Sequence, residues 1–197
     1  MNELCEYAIS EITVKKSRFI CEIFPVVSAE QARTLLKAQK KTYFDAKHVV
    51  HAFVIGKNAE ILGSSDDGEP SGTAGRPILD ILKGSNLTNC MITVTRYFGG
   101  VLLGTGGLVK AYSDSAKEVL KNVVSRPIIE KENFSFSVGY ELYDSVKKII
   151  SGFSVTDLTE NFESQISLCG QIPLSDFADF AYKIKEVTNG KVCLKIE

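Results

Sequence analysis

The chain should fold as an α+β protein of two units, an expectation that rests on three observations. Residues 134–196 read as strand, helix, strand, strand, helix, strand, which is the ferredoxin-like βαββαβ order in about 65 residues. Upstream, residues 5–26 and 48–62 carry the period-two apolar pattern of strands, whereas 28–41 and 107–123 carry helical stripes. Between them lie two blocks, Asp66–Pro77 and Thr95–Tyr112, that hold eight of the fifteen glycines. Glycine loses more freedom on ordering than any other residue, so this density suits backbone that must turn tightly or lie close against something. The two blocks are therefore the candidate site.

The bulk properties narrow the class. With 197 residues, 44% hydrophobic and 24% charged, the chain has an ordinary globular composition. No apolar run approaches the roughly 20 residues of a membrane span, and no basic-then-apolar leader opens the sequence. A cytoplasmic protein without membrane contact is expected. The five cysteines (Cys5, Cys21, Cys90, Cys169, Cys193) are odd in number and contain no CxxC pair, which favours buried, reduced thiols over a metal or redox site. A net charge of −1 excludes a generally basic coat. Residues 13–57, however, hold nine basic residues against three acidic ones, whereas residues 131–197 hold seven against ten. A basic face on the first half follows.

In chain order, strands are expected over 5–14 and 17–26, turning at Lys15-Lys16, with Ile12, Val14, Phe19, Cys21 and Ile23 inward. Ser28 and Gln31 form a capping box for a helix whose buried side carries Ala32, Leu35 and Leu36. Arg33, Lys37, Lys40 and Lys41 share its outer side, as a phosphate-facing stripe or as solvated charge. Residues 48–55 and 60–62 make a hairpin around Gly56-Lys57-Asn58. His48 and His51 lie three apart on its first strand and so face opposite sides, which argues against a shared metal. Arg76–Lys83 is a short helix stopped at Gly84, and Cys90–Thr95 a strand. A longer helix from Gly107 presents Leu108, Tyr112, Ala116, Val119 and Val123 on one side and ends before Arg126-Pro127. The units divide into 1–130 and 131–197. In the second, strands 134–141, 154–160, 163–170 and 191–196 alternate with helices 142–152 and 175–188; Ser175 caps the last helix and Asn189-Gly190 closes it.

The first glycine block places Asp66, Asp67 and Glu69 on one turn with Gly68, Pro70, Ser71 and Gly72. Such carboxylates could hold Mg²⁺ or supply an acid and a base, but Asp-Asp-Gly-Glu-Pro is also ordinary turn chemistry. In the second, Arg96, Tyr97, Phe98, Gly99 and Gly100 follow a strand, and Gly104, Gly106 and Gly107 open a helix whose amides attract anions. The P-loop pattern fails because Thr105 stands where lysine is required, and the dinucleotide fingerprint fails at Val109. Arg76, Arg96 and Lys110 remain as phosphate-gripping candidates, with Tyr97 or Phe98 to stack on a base or to pack in the core. No nucleophile elbow and no reactive cysteine–histidine pair is present.

Lys16-Ser17-Arg18-Phe19, Asp45-Ala46-Lys47-His48 with Ala52, Asp66–Pro77 and Thr95–Tyr112, in this order and spacing, closely resemble the YigZ/IMPACT family, and the resemblance covers nearly the whole chain. Lys47 and Val49-Val50 stand at positions around His48 where relatives vary. The resemblance implies an N-terminal α/β sandwich like the second domain of a small-subunit ribosomal protein and domain IV of elongation factor G, with a left-handed βαβ crossover. It also implies a C-terminal ferredoxin-like domain like domain V of that factor. Eukaryotic relatives regulate translation by competing for an activator of the kinase that phosphorylates an initiation factor.

The function expected is thus a non-catalytic binding or regulatory protein linked to translation. It would contact RNA, the ribosome or a translation factor through the glycine-rich face, without cofactor, metal or sequence-specific DNA contact. Two alternatives stand beside it: a protein-interaction module recruiting its partner through the acidic C-terminal unit, and a metal-assisted hydrolase using Asp66, Asp67 and Glu69 with Arg96.

Overall fold

The computed structural model describes residues 1–194. Contacts divide the chain into Met1–Ile128 and Ile129–Glu197. In the first unit the elements are β1 (Asn2–Leu4), β2 (Ala8–Val14), β3 (Ser17–Pro25), α1 (Ala29–Thr42), β4 (His48–Ile55), β5 (Ile61–Ser65), α2 (Gly75–Gly84), β6 (Leu87–Thr88), β7 (Cys90–Tyr97), α3 (Gly104–Leu120) and β8 (Ser125–Pro127).

Five strands form a sheet in the order β2-β3-β7-β4-β5. All its pairings are antiparallel, so β3 and β4, on either side of β7, run parallel to each other with α1 as their crossover. Because side chains alternate across a strand, the central strands are apolar on both faces. Phe19, Cys21, Ile23, Val50, Ile92 and Val94 face α2 and α3. Ile55 and Met91 face α1 through Val26 and Ala32, with Leu35 and Leu36 at the margin. The start of α1 is fixed as the capping motif requires: Ser28 Oγ accepts from the Gln31 amide at 3.1 Å. Gln31 Oε1 reaches back to the Val27 amide at 2.8 Å. A second, three-stranded sheet in the order β6-β1-β8 pairs the beginning of the chain with the stretch after α3.

Several boundaries differ from expectation. Residues 2–4 pair as β1, and the following strand begins at Ala8. The helix expected from Gly107 begins at Gly104 and ends at Leu120. Leu103 and Leu108 both pack on the core, and this anchoring overrides the poor helix propensity of three glycines. The stretch after Leu120 pairs with β1 as β8, with Pro127 opposite Asn2. Only Cys21 and Cys90 are buried, whereas Cys5, Cys169 and Cys193 are exposed.

The second unit comprises β9 (Lys131–Val138), α4 (Tyr140–Ser151), β10 (Thr156–Phe162), β11 (Ile166–Pro173) and α5 (Leu174–Val187), with its sheet in the order β10-β11-β9. Ile166, Leu168 and Ile172 alternate inward onto Val146, Ile150, Phe177 and Phe180 of the two helices. The hairpin strands therefore sit two to three residues later than expected. Ser175 does not cap α5: Pro173 holds the cap position, and the Ser175 hydroxyl, inside the first turn, donates to Asp176 Oδ1 at 2.9 Å. After α5, Asn189 and Gly190 take positive φ and the Gly190 amide returns to the Lys185 carbonyl at 2.8 Å, a Schellman-type closure. Of the expected strand 191–196, residues 191–194 are not in a strand, and the remainder lies outside the described residues.

Candidate functional site

The strand-to-helix segments that carry the two glycine blocks meet at the edge of the face covered by α2 and α3. Arg96, near the end of β7, points to that face. Its Nη1 donates to Glu69 Oε1 at 2.7 Å, with both side chains under a tenth exposed. The Tyr112 hydroxyl of α3 donates to the same oxygen at 2.8 Å. Burial first, and the Glu69 carboxylate second, push the Tyr112 phenol far above its ordinary range. The guanidinium carbon also lies 5.6 Å from the Phe19 ring centroid and 5.8 Å from that of Phe98, within cation–π range. Its Nε is buried without a hydrogen-bond partner among the described residues.

A cavity of about 460 Å³ opens above this ion pair. It is lined by Lys47, His48 and Arg96, by Gly68, Glu69 and Pro70, by Phe98, Leu102, Leu103 and Leu108, and by Gly104 and Thr105 at the start of α3. No side chain caps that helix, so its first amides and the positive end of its dipole face the cavity without a side-chain acceptor. Gly104 has φ +72°, a backbone that L side chains rarely adopt. The His48 ring is held by Nδ1 at 2.8 Å from the Asp67 carbonyl. Cations, amides and an aromatic-aliphatic wall together suit a ligand with an anionic group and a flat, apolar body.

The first block is mainly scaffolding. Asp66 accepts from the amides of Gly72, Ala74 and Gly75 at 2.8–3.0 Å, standing in for the side-chain cap that α2 lacks. Burial alone would raise its carboxyl, yet these three amides bring it below the ordinary value. Asp67, at φ +44°, accepts from the Val49 amide and pairs with Lys40. Glu69 is committed to Arg96 and Tyr112. The three carboxylates thus turn to three different partners, and among the described residues no group of three His, Cys, Asp or Glu side chains could hold a metal.

Of the residues singled out by sequence, His48, Gly68, Glu69, Pro70, Arg96, Phe98 and Gly104 line the cavity. Arg76 is exposed and paired with Asp80 at 2.8 Å, and Lys110 is exposed on α3 outside the lining. Tyr97 is on the opposite side of β7 from Arg96, its hydroxyl donating to Asp45 at 2.8 Å. The available ring is therefore that of Phe98, 55% exposed. Gly99 serves close approach: a Cβ there would lie 2.0 Å from the Lys16 carbonyl. Gly100, Gly106, Gly107, Ser71 and Gly72 shape the loops and the helix start without lining the cavity. Lys47, Leu102, Leu103, Thr105 and Leu108 were not singled out as site residues; the apolar run between Gly100 and Gly104 was the signal that could have found Leu102 and Leu103.

A two-unit α+β chain with this paired Arg–Glu pocket at a glycine-rich helix start defines a recognisable class. The family model for the Impact N-terminal domain matches residues 15–120, which include both blocks and the whole cavity lining. An IMPACT family member of Haemophilus influenzae is 35% identical over 190 residues, 95% of this chain and 92% of the relative. IMPACT family member YigZ of Escherichia coli is 31% identical over 183 residues, 92% and 90% of the two chains. A solved crystal structure of a hypothetical protein superposes with a TM-score of 0.71 at 29% identity, covering 100% of this chain and 97% of that one. The chain belongs to the IMPACT family.

Proposed function

We propose that this protein is a non-catalytic, translation-linked binding protein that holds RNA, on the ribosome or with a translation factor, at the glycine-rich pocket. The observation that carries the reading is the coincidence of an uncapped helix start, Lys47 and Arg96 with the exposed rings and aliphatics of Phe98 and Leu102. A phosphate meets the amides and cations, and a base stacks on Phe98. Arg33, Lys37 and Lys41 are exposed on α1, which covers the other face of the sheet, and would offer the backbone of a longer RNA a second basic surface. The family resemblance adds the link to translation. The same reading takes the first unit as a relative of elongation-factor-G domain IV with a left-handed β3–α1–β4 crossover. It takes the second as a ferredoxin-like domain similar to domain V of the same factor.

The test is co-sedimentation with ribosomes and single-stranded RNA across a salt series, comparing the wild type with Lys47→Ala and Phe98→Ala. Binding should weaken linearly in log–log form, and loss of one phosphate contact in Lys47→Ala should make the slope shallower by about 0.7. Phe98→Ala should weaken binding by about 1–3 kcal/mol with the slope unchanged. Absence of binding at every salt concentration overturns the proposal, and capture of a partner protein by residues 129–197 would point instead to the protein-interaction alternative.

A further inference from the structure

The ion pair at the floor of the pocket is only half used. Glu69 and Arg96 both line the cavity, at 8% and 7% exposure. Glu69 Oε1 takes both donors, Arg96 Nη1 at 2.7 Å and the Tyr112 hydroxyl at 2.8 Å. Among the described residues Oε2 accepts from nothing, and of the guanidinium only Nη1 is engaged, with Nε buried and unpartnered. Native proteins leave few buried polar atoms in this state. A carboxylate only accepts and a guanidinium only donates, so the floor presents an acceptor beside a donor.

The space above has about 460 Å³ and is walled by Phe98, Leu102, Leu103 and Leu108, which suits a small, flat ligand. Lys47, Gly104 and Thr105, the groups fitted to a phosphate, are exposed and so belong to the rim. A nucleotide anchored there by its phosphate sends its base down to the floor. The complement of that floor is an exocyclic amino group next to a ring nitrogen, the edge that cytosine and adenine carry. The amino group donates to Glu69 Oε2, and the ring nitrogen accepts from Arg96. Uracil matches it poorly. Its single ring N–H lies between two carbonyl oxygens, and both repel a carboxylate oxygen brought up to it.

Resting on the reading of the pocket as an RNA site, we propose that Glu69 and Arg96 read the edge of one unpaired base and select cytosine or adenine over uracil. Glu69 is then a specificity-determining residue as well as the anchor of Arg96.

The test is fluorescence anisotropy of the full chain with oligocytidylate, oligoadenylate and oligouridylate of equal length at low salt. Cytidylate and uridylate are the decisive pair, because their rings offer nearly the same stacking area. Cytidylate and adenylate should bind roughly tenfold or more tighter than uridylate. Cytidylate with both amino hydrogens replaced by methyl groups should fall to the uridylate level. In Glu69→Gln the amide oxygen still accepts from Arg96 and Tyr112, but the cavity now meets a donor, and the preference for cytidylate should vanish. Thermal melting checks that this variant folds; if it does not, the methylated oligomer decides. Equal wild-type binding of cytidylate and uridylate, full binding of the methylated oligomer, or a preference retained in folded Glu69→Gln overturns the inference and leaves the RNA reading standing. Absence of binding to every oligomer overturns the RNA reading and this inference with it.

Discussion

Arg96 and Glu69, 27 residues apart in sequence, meet at 2.7 Å in a position where neither side chain is more than a tenth exposed. The pair joins the two glycine blocks to each other, and Tyr112 ties both to α3. The site therefore comes with its own internal charge balance: Arg96 contributes direction and ring contacts, while Lys47 and the helix start carry the uncompensated positive potential.

Breaking that pair should be costly. Arg96→Ala leaves the Glu69 carboxylate buried with one donor, and the expected loss is about 3–5 kcal/mol in urea unfolding. Tyr112→Phe removes a single hydrogen bond to the same carboxylate and should cost about 1.5–3 kcal/mol. Equal losses in the two variants would contradict the central role given to Arg96.

Asp66 should impose a pH dependence. Its carboxyl is lower in the folded chain than its ordinary 3.8, so the stability it contributes is complete above that value and is lost as pH falls through the folded pKa. Asp66→Asn should therefore be less stable than wild type near neutrality, with the gap narrowing below about pH 4. Urea midpoints between pH 6 and pH 2.5 measure it, and parallel curves would count against the three-amide account.

Two glycines should respond oppositely to alanine. At Gly99 the new Cβ would lie 2.0 Å from backbone atoms of Lys16, so Gly99→Ala should be strongly destabilised. Gly106 lies within α3, has no positive φ and meets nothing within 4 Å. Gly106→Ala should stabilise the chain by about 0.5–1 kcal/mol. Thermal melts of the pair check both signs.

Thiol chemistry should divide the cysteines. Cys5, Cys169 and Cys193 are exposed and should react promptly with a chromogenic disulfide. Cys21 and Cys90 should react only after unfolding, since burial raises both thiols, that of Cys90 to about 12. Five fast thiols in the native protein would show that the sheet opens readily.

Much of the fold was legible because it is written in local pattern. The alternation through Phe19, Cys21 and Ile23, the Ser28–Gln31 cap, the stripe Leu108–Tyr112–Ala116 and the Asn189-Gly190 stop all act within a few residues of themselves. The opposed directions of His48 and His51 follow from strand geometry alone. Ser175 misled because a cap-forming residue does not decide where a helix begins when Pro173 and the packing of Phe177 do.

By itself, then, the sequence determined the succession of strands and helices, the two glycine blocks as the unusual feature, and the family. It could not determine which candidates share a site. Arg76, Arg96 and Lys110 are equivalent as charges in a string of letters; strand register and helix phase send Arg96 inward to Glu69 and leave the other two in solvent. The same register turns Tyr97 away and Phe98 toward the cavity. It also aligns Glu22, Thr93 and His51, drawn from three separate strands, in one row beneath α1. Those relations are non-local pairings, and only the assembled sheet brings their members together.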